Sequence, residues 1–129
     1  MVHKSDKANH ILIVDDEKDF RELFAELVDR MGYPVITAEN GESALEKVKS
    51  TSIRAAIIDY NMPGMDGIQL LEEIKKKNAD IFVVLISGYG NEGIAAQALE
   101  KGADEYLVKP VDINKLQHTL RKVLNLDNS

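Results

Sequence analysis

The chain has 129 residues, a length that fits one domain with its own hydrophobic core. It contains no cysteine, which excludes disulfides, thiolate metal sites and cysteine nucleophiles. Its 22 acidic residues outnumber its 16 lysines and arginines, and the resulting net charge of -6 works against binding to nucleic acid or anionic membranes.

Neither a signal segment nor a membrane span is evident. The residues after Met1 lack the apolar segment of a secretory signal, and no apolar run is long enough to cross a bilayer. We therefore expect a cytoplasmic protein with no membrane insertion and no direct contact with nucleic acid. Both ends are polar, so the domain is predicted over residues 10–125, between tails at 1–9 and 126–129.

The first half of the chain alternates apolar runs with amphipathic stretches. His10–Asp15 reads as a strand that ends on acid. Lys18–Met31 is predicted to be a helix because its apolar residues recur every three or four positions, and we assign this stripe, starting at Phe20, to the core. Tyr33–Ala38 is a second strand, and residues 42–50 form a second helix.

The second half continues the alternation. Arg54–Asp59 is a continuous apolar run, typical of a parallel strand covered on both faces, and it also ends on acid. Asp66 is predicted to cap a third helix. The remaining predicted elements are a strand at Asp80–Ser87, a helix at Glu92–Lys101, a strand at Asp104–Lys109 and a last helix capped by Asp112.

Five strands alternating with five helices predict an α/β fold, with a doubly wound parallel sheet of five strands covered on both faces. In such sheets the binding site lies at the carboxyl ends of the strands. That rule brings together residues from four strand ends: Asp15, Asp59, Ser87 and Lys109.

Asp15, Asp16 and Asp59 would place three carboxylates in one crevice, where their repulsion requires a cation. Oxygen ligands without histidine or cysteine favour a hard ion. Mg2+ fits best because it accepts one or two carboxylates together with a phosphoryl oxygen, and Ca2+ is the second choice. Lys109 and the Ser87 hydroxyl add donors for a phosphoryl group, so the combination predicts a phosphotransfer site.

These residues, with the turn sequence DYNMPGMDG from Asp59 to Gly67, make the chain from Ile11 to about Leu124 resemble a receiver domain of two-component response regulators. The resemblance implies a flavodoxin-like sheet with strand order 2-1-3-4-5. It also implies that Asp59 accepts a phosphoryl group from the phosphohistidine of a histidine kinase or phosphotransferase. The signal would then pass to a downstream effector domain or protein.

The resemblance further implies a metal site. Asp16, Asp59 and the backbone carbonyl of Asn61 would bind Mg2+ directly, while Asp15 would act mainly through a bound water. Lys109, followed by a cis peptide bond to proline, would pair with Asp59 before transfer and with the phosphoryl group afterwards.

The resemblance assigns the switch to Ser87 and Tyr106. Ser87 would donate its hydroxyl to a phosphoryl oxygen, and Tyr106 would turn into the space that Ser87 leaves, although plain half-buried packing is the alternative for Tyr106. The readout face would be the fourth helix, fifth strand and fifth helix. Gly88 stands where the family most often has alanine, and Asn61 and Tyr89 stand where side chains flank the attacking water.

Two other functions compete with the receiver. A Mg2+-dependent phosphohydrolase acting on an external substrate through an aspartyl phosphate usually has a second acid two residues after the nucleophile, where this chain has Asn61. A flavodoxin-like nucleotide or flavin binder would have a loop rich in glycine or hydroxyl groups after the first strand. This chain has the acidic sequence Asp15-Asp16-Glu17 there, which would repel phosphate without a metal.

Overall fold

The computed structural model describes residues 10–88 and 92–125. The predicted tails at 1–9 and 126–129 lie outside the described residues. Strands and helices alternate through the described part in this order: β1 His10–Val14, α1 Lys18–Arg30, β2 Val35–Ala38, α2 Gly41–Ser50, β3 Ile53–Asp59, α3 Gly67–Lys77, β4 Phe82–Ser87, α4 Glu92–Glu100, β5 Glu105–Val108 and α5 Ile113–Asn125.

The five strands form one parallel sheet in the order β2-β1-β3-β4-β5, which confirms the predicted fold and strand order. The strand order reverses between β1 and β3, so a crevice opens beyond the carboxyl ends of these two strands. Asp59, the last residue of β3, pairs with Ile86 of β4. The end of β3 is therefore flanked by β1 on one side and β4 on the other.

Two hydrophobic cores lie on opposite faces of the sheet. Leu12 and Val14 of β1 pack with α2, α3 and α4 on one face. Ile11 and Ile13 pack with α1 and α5 on the other face. Successive side chains of a strand point to opposite faces, so a strand between two cores must be apolar at every position. This explains the continuous apolar runs in the sequence.

Two predicted caps begin helices as expected. The Asp66 side chain accepts a hydrogen bond from the Gln69 N–H at 2.9 Å, and the Gln69 side chain accepts one from the Asp66 N–H at 2.9 Å. At the start of α5, the Asp112 side chain accepts hydrogen bonds from the N–H groups of Asn114 and Lys115. Both caps satisfy N–H groups that have no partner inside the helix.

Some boundaries differ from the sequence prediction. β4 begins at Phe82 and not at Asp80, because the Asp80 N–H bonds to the Asn78 side chain at 3.0 Å in a turn. β3 begins at Ile53, one residue before the predicted Arg54. Within residues 10–88 and 92–125, no helix is both long enough and apolar enough to traverse a lipid bilayer.

The assignment of the whole α1 stripe to the core was wrong. Phe24 and Val28 are buried, whereas Phe20 and Leu23 are 38% and 50% exposed. Phe20 and Leu23 instead line a groove of about 550 Å³ together with residues of the β5–α5 connection, including Val111. The start of α1 therefore borders the β5–α5 connection, and part of its apolar surface faces solvent.

Gly67 lies where the chain after β3 passes close to the end of that strand. A Cβ atom at this position would lie 2.7 Å from both the Asp59 backbone oxygen and the Tyr60 Cα. Backbone atoms cannot move away without a cost in free energy. We therefore expect Gly67→Ala to lower the free energy of unfolding, measured by urea denaturation, by about 1–3 kcal/mol. Gly93→Ala is the control, since a Cβ there meets no atom of the described residues within 4 Å. Equal stability of Gly67→Ala and the wild type would contradict this packing.

Candidate functional site

Polar side chains from four strand ends lie at the carboxyl edge of the sheet. Asp15 directly follows β1, Asp59 ends β3, Ser87 ends β4 and Lys109 directly follows β5. Asp15, Asp59 and Ser87 are 2%, 3% and 0% exposed. Polar groups this deeply buried need strong compensating contacts.

Asp59 is a buried carboxylate with an incomplete set of hydrogen bonds. The Lys109 Nζ lies 3.3 Å from Asp59 Oδ1, which is close enough for an ion pair. The same oxygen accepts no well-aligned hydrogen bond from the described residues. Burial raises the pKa of Asp59, while the Lys109 ammonium and a hydrogen bond from the Asn61 backbone N–H oppose that rise. Asp59 Oδ1 therefore retains acceptor capacity inside the protein.

Asp15 is held by the first residues of the loop that leads into α1. Its side chain accepts a hydrogen bond from the Glu17 N–H at 2.9 Å, and its backbone oxygen accepts one from the Arg21 guanidinium at 2.8 Å. Burial raises the pKa of Asp15 to about 6, despite the Glu17 N–H, and the nearby charge of Asp59 adds to the rise. A nearby cation would favour the ionised form of this carboxyl.

The carboxyl groups of Asp15, Asp16 and Asp59 each offer an oxygen within 4.8 Å of the other two. Asp15 and Asp59 are buried and Asp16 is exposed, so the group is accessible from one side. The free acceptor on Asp59 and the repulsion among the three acids both fit a divalent cation. An all-oxygen set matches a hard ion such as Mg2+.

Ser87 and Gly88 connect β4 to the site. The fully buried Ser87 hydroxyl donates to the Gly88 carbonyl at 3.3 Å, and the Ser87 carbonyl accepts a hydrogen bond from the Lys109 N–H at 2.8 Å. Among the described residues, a Cβ on Gly88 would meet only the Asn61 Nδ2 at 3.6 Å, an ordinary contact. Alanine would thus fit here, and glycine leaves extra space. Tyr89 lies outside the described residues.

Tyr106 lies on the edge strand β5, which β4 separates from β3. It is half-buried and packs against the core formed with α2, α3 and α4. The peptide bond between Lys109 and Pro110 is cis, as the resemblance implied.

Two neighbours of Lys109 were missed by the sequence analysis. The Lys109 Nζ lies 3.9 Å from Glu17 Oε1 and 4.8 Å from the centre of the Phe20 ring. Phe20 was assigned to the core because helical periodicity does not distinguish the ends of a stripe from its middle. Its place in the first turn of α1, immediately after the acidic loop, was the available signal.

The chain matches known proteins over nearly its whole length. It is 41% identical over 114 residues to the transcriptional regulatory protein ZraR of Klebsiella oxytoca, covering 88% of this chain and 26% of that protein. It is 35% identical over 119 residues to the chemotaxis protein CheY of Bacillus subtilis, covering 92% and 99%. The chain thus spans about a quarter of ZraR and nearly all of CheY.

A solved structure and a family model give the same result as these relatives. The crystal structure of a response regulator receiver domain protein from Clostridium thermocellum superposes with a TM-score of 0.86 at 31% identity, covering 93% of this chain and 97% of that one. The family model described as the response regulator receiver domain matches residues 11–121. The chain therefore belongs to the receiver domains of two-component response regulators.

Proposed function

We propose that Asp59 of this receiver domain accepts a phosphoryl group from the phosphohistidine of a histidine kinase or phosphotransferase. One observation carries the proposal. Asp59 is a buried carboxylate whose Oδ1 accepts no well-aligned hydrogen bond from the described residues, and it lies next to two further acids and the Lys109 ammonium. A buried acid in this setting is suited to modification because it combines a free acceptor with positive charge for the incoming group.

The transfer forms a bond from an Asp59 carboxylate oxygen to phosphorus as the nitrogen–phosphorus bond of the donor breaks. The electron pair of the broken bond returns to the imidazole of the donor. Asp59 must be ionised to attack, and the Lys109 ammonium favours that form against the effect of burial. After transfer, Lys109 pairs with phosphoryl oxygens in place of the carboxylate.

The residues present fit Mg2+. Asp16, Asp59 and the Asn61 carbonyl would hold it, and Asp15 would act through a water molecule. When bound, the ion neutralises charge on the transferred phosphoryl oxygens. Asp15 also keeps the loop in place through its contacts with Glu17 and Arg21.

The phosphoryl group adds negative charge at the end of β3, next to the end of β4. Ser87 donates its hydroxyl to a phosphoryl oxygen, and Tyr106 moves inward. The change is read on α4, β5 and α5 by an effector domain or a separate protein.

A cytoplasmic location, the absence of nucleic-acid contact and a domain at residues 10–125 remain predictions from sequence.

We further propose that the chain catalyses only its own phosphorylation and dephosphorylation. The alternative, a phosphohydrolase acting on an external substrate, needs a second acid two residues after Asp59. That position is occupied by Asn61, whose amide cannot act as a general acid or base at neutral pH.

Acetyl phosphate with Mg2+ should add one phosphoryl group to the wild type and none to Asp59→Asn, because the amide is not a nucleophile. Intact-mass spectrometry measures the addition. Asp66→Asn is the control, since this acid caps α3 and asparagine caps equally well. Labelling of Asp59→Asn at the wild-type level would refute the assignment.

Without divalent ions, the stability of the protein should depend on pH through Asp15. Its pKa in the folded protein, about 6, exceeds the ordinary value of 3.8, so the folded state binds more protons within that window. Lowering the pH from about 7 to about 5 should then raise the free energy of unfolding by about 1 kcal/mol relative to Asp15→Asn. Urea denaturation with a chelator measures this difference. A difference of the opposite sign would contradict the raised pKa.

Phosphorylation should move the NMR signals of the Tyr106 ring, and Ser87→Ala should abolish that shift while Asp59 is still modified. The reason is that Ser87 moves when its hydroxyl bonds to the phosphoryl group, and Tyr106 turns into the space that Ser87 leaves. Tyr33, which packs on the opposite core with α1 and α5, is the internal control. Shifts confined to the immediate neighbours of Asp59 would count against this switch.

A further inference from the structure

We propose that Phe20 is a positioning residue for Lys109, and that its ring helps to keep the lysine ammonium at the phosphoacceptor. The inference rests on the proposed role of Lys109 at Asp59. It assigns a function in phosphotransfer to an aromatic residue that the periodicity of α1 had placed in the core.

The geometry is that of a cation–π contact. The Lys109 Nζ lies 4.8 Å from the centre of the Phe20 ring, inside the distance of about 6 Å at which a ring face attracts a cation. The Lys109 side chain is only 21% exposed, so water weakens the attraction less than at an open surface.

Lys109 needs such a support because two carboxylates compete for it. Asp59 Oδ1 lies 3.3 Å from the ammonium, and Glu17 Oε1 lies 3.9 Å away. The Glu17 side chain is 59% exposed, so pairing with it would draw the ammonium toward solvent. A lysine has a flexible four-carbon stem and no fixed direction of its own. An aromatic ring restricts the ammonium without neutralising the charge that a phosphoryl group requires.

The Phe20 ring packs against a second aromatic ring, that of Phe24. Phe20 and Phe24 are four residues apart on α1 and therefore lie on one face of the helix. Their ring centres are 6.3 Å apart, with planes tilted by 30°. Phe24 is 3% exposed and belongs to the core, whereas Phe20 is 38% exposed. The buried ring thus supports the exposed one, which in turn contacts the lysine.

NMR of protein labelled with 13C-lysine tests the contact without metal or phosphate. A ring near Nζ shifts the Lys109 ε-proton signals upfield, so Phe20→Leu should return them to the ordinary lysine position, and Phe20→Tyr should retain the shift. Leu23→Ala is the matched control, because Leu23 lines the same groove one turn of α1 away. Unchanged Lys109 signals in Phe20→Leu would overturn the proposal.

The rate of phosphorylation by limiting acetyl phosphate with Mg2+ tests the consequence. Phe20→Leu should react about two- to fivefold more slowly than the wild type, the range expected for a weak cation–π contact, while Phe20→Tyr and Leu23→Ala react normally. Urea denaturation checks that all variants are folded. Equal rates in Phe20→Leu and the wild type would overturn the positioning role. A wild type that is not phosphorylated at all would overturn the proposed function instead, and the lysine spectra would still decide whether the contact exists.

Discussion

The balance between burial and charge at Asp59 is the interaction on which the site depends. Removal from water favours the protonated carboxyl, and this raises its pKa. The Lys109 ammonium, 3.3 Å away, supplies the opposing attraction, while the negative charge of the nearby Asp16 adds to the rise. Charges act strongly in such a place because little water screens them. A small change in charge at Asp59 can therefore alter the contacts around it.

The backbone of the parallel sheet holds the residues of the site in place. Past the strand ends, the Tyr60 N–H donates to the Ile86 carbonyl at 2.7 Å, and the Lys109 N–H donates to the Ser87 carbonyl at 2.8 Å. These bonds join the backbones of β3, β4 and β5 at the level of the site. Tyr106 of β5 packs on the face covered by α2, α3 and α4. The Phe20 ring and Lys109 lie instead beside α1.

Much of the fold follows from local patterns. Continuous apolar runs predicted buried parallel strands, and apolar spacing of three and four predicted helices, because these periods reflect how side chains leave each backbone. The rule for strand ends then predicted Asp15, Asp59, Ser87 and Lys109 at one edge of the sheet. Element boundaries were predicted less accurately, as at Asp80, because a side-chain hydrogen bond in a turn competes with strand pairing.

The sequence alone thus specifies the order of the elements, the pairing of two cores with one sheet, and the residues at its carboxyl edge. It does not specify burial within that edge. Asp15 and Asp16 are adjacent and chemically identical, yet Asp15 is buried and Asp16 is exposed. Nor does it show that Phe20 contacts Lys109, since the two are far apart in sequence and meet only because the start of α1 borders the β5–α5 connection. The periodicity of apolar residues shows in which direction a side chain leaves its own helix or strand. Its burial and its contacts depend also on which other parts of the chain pack against that side.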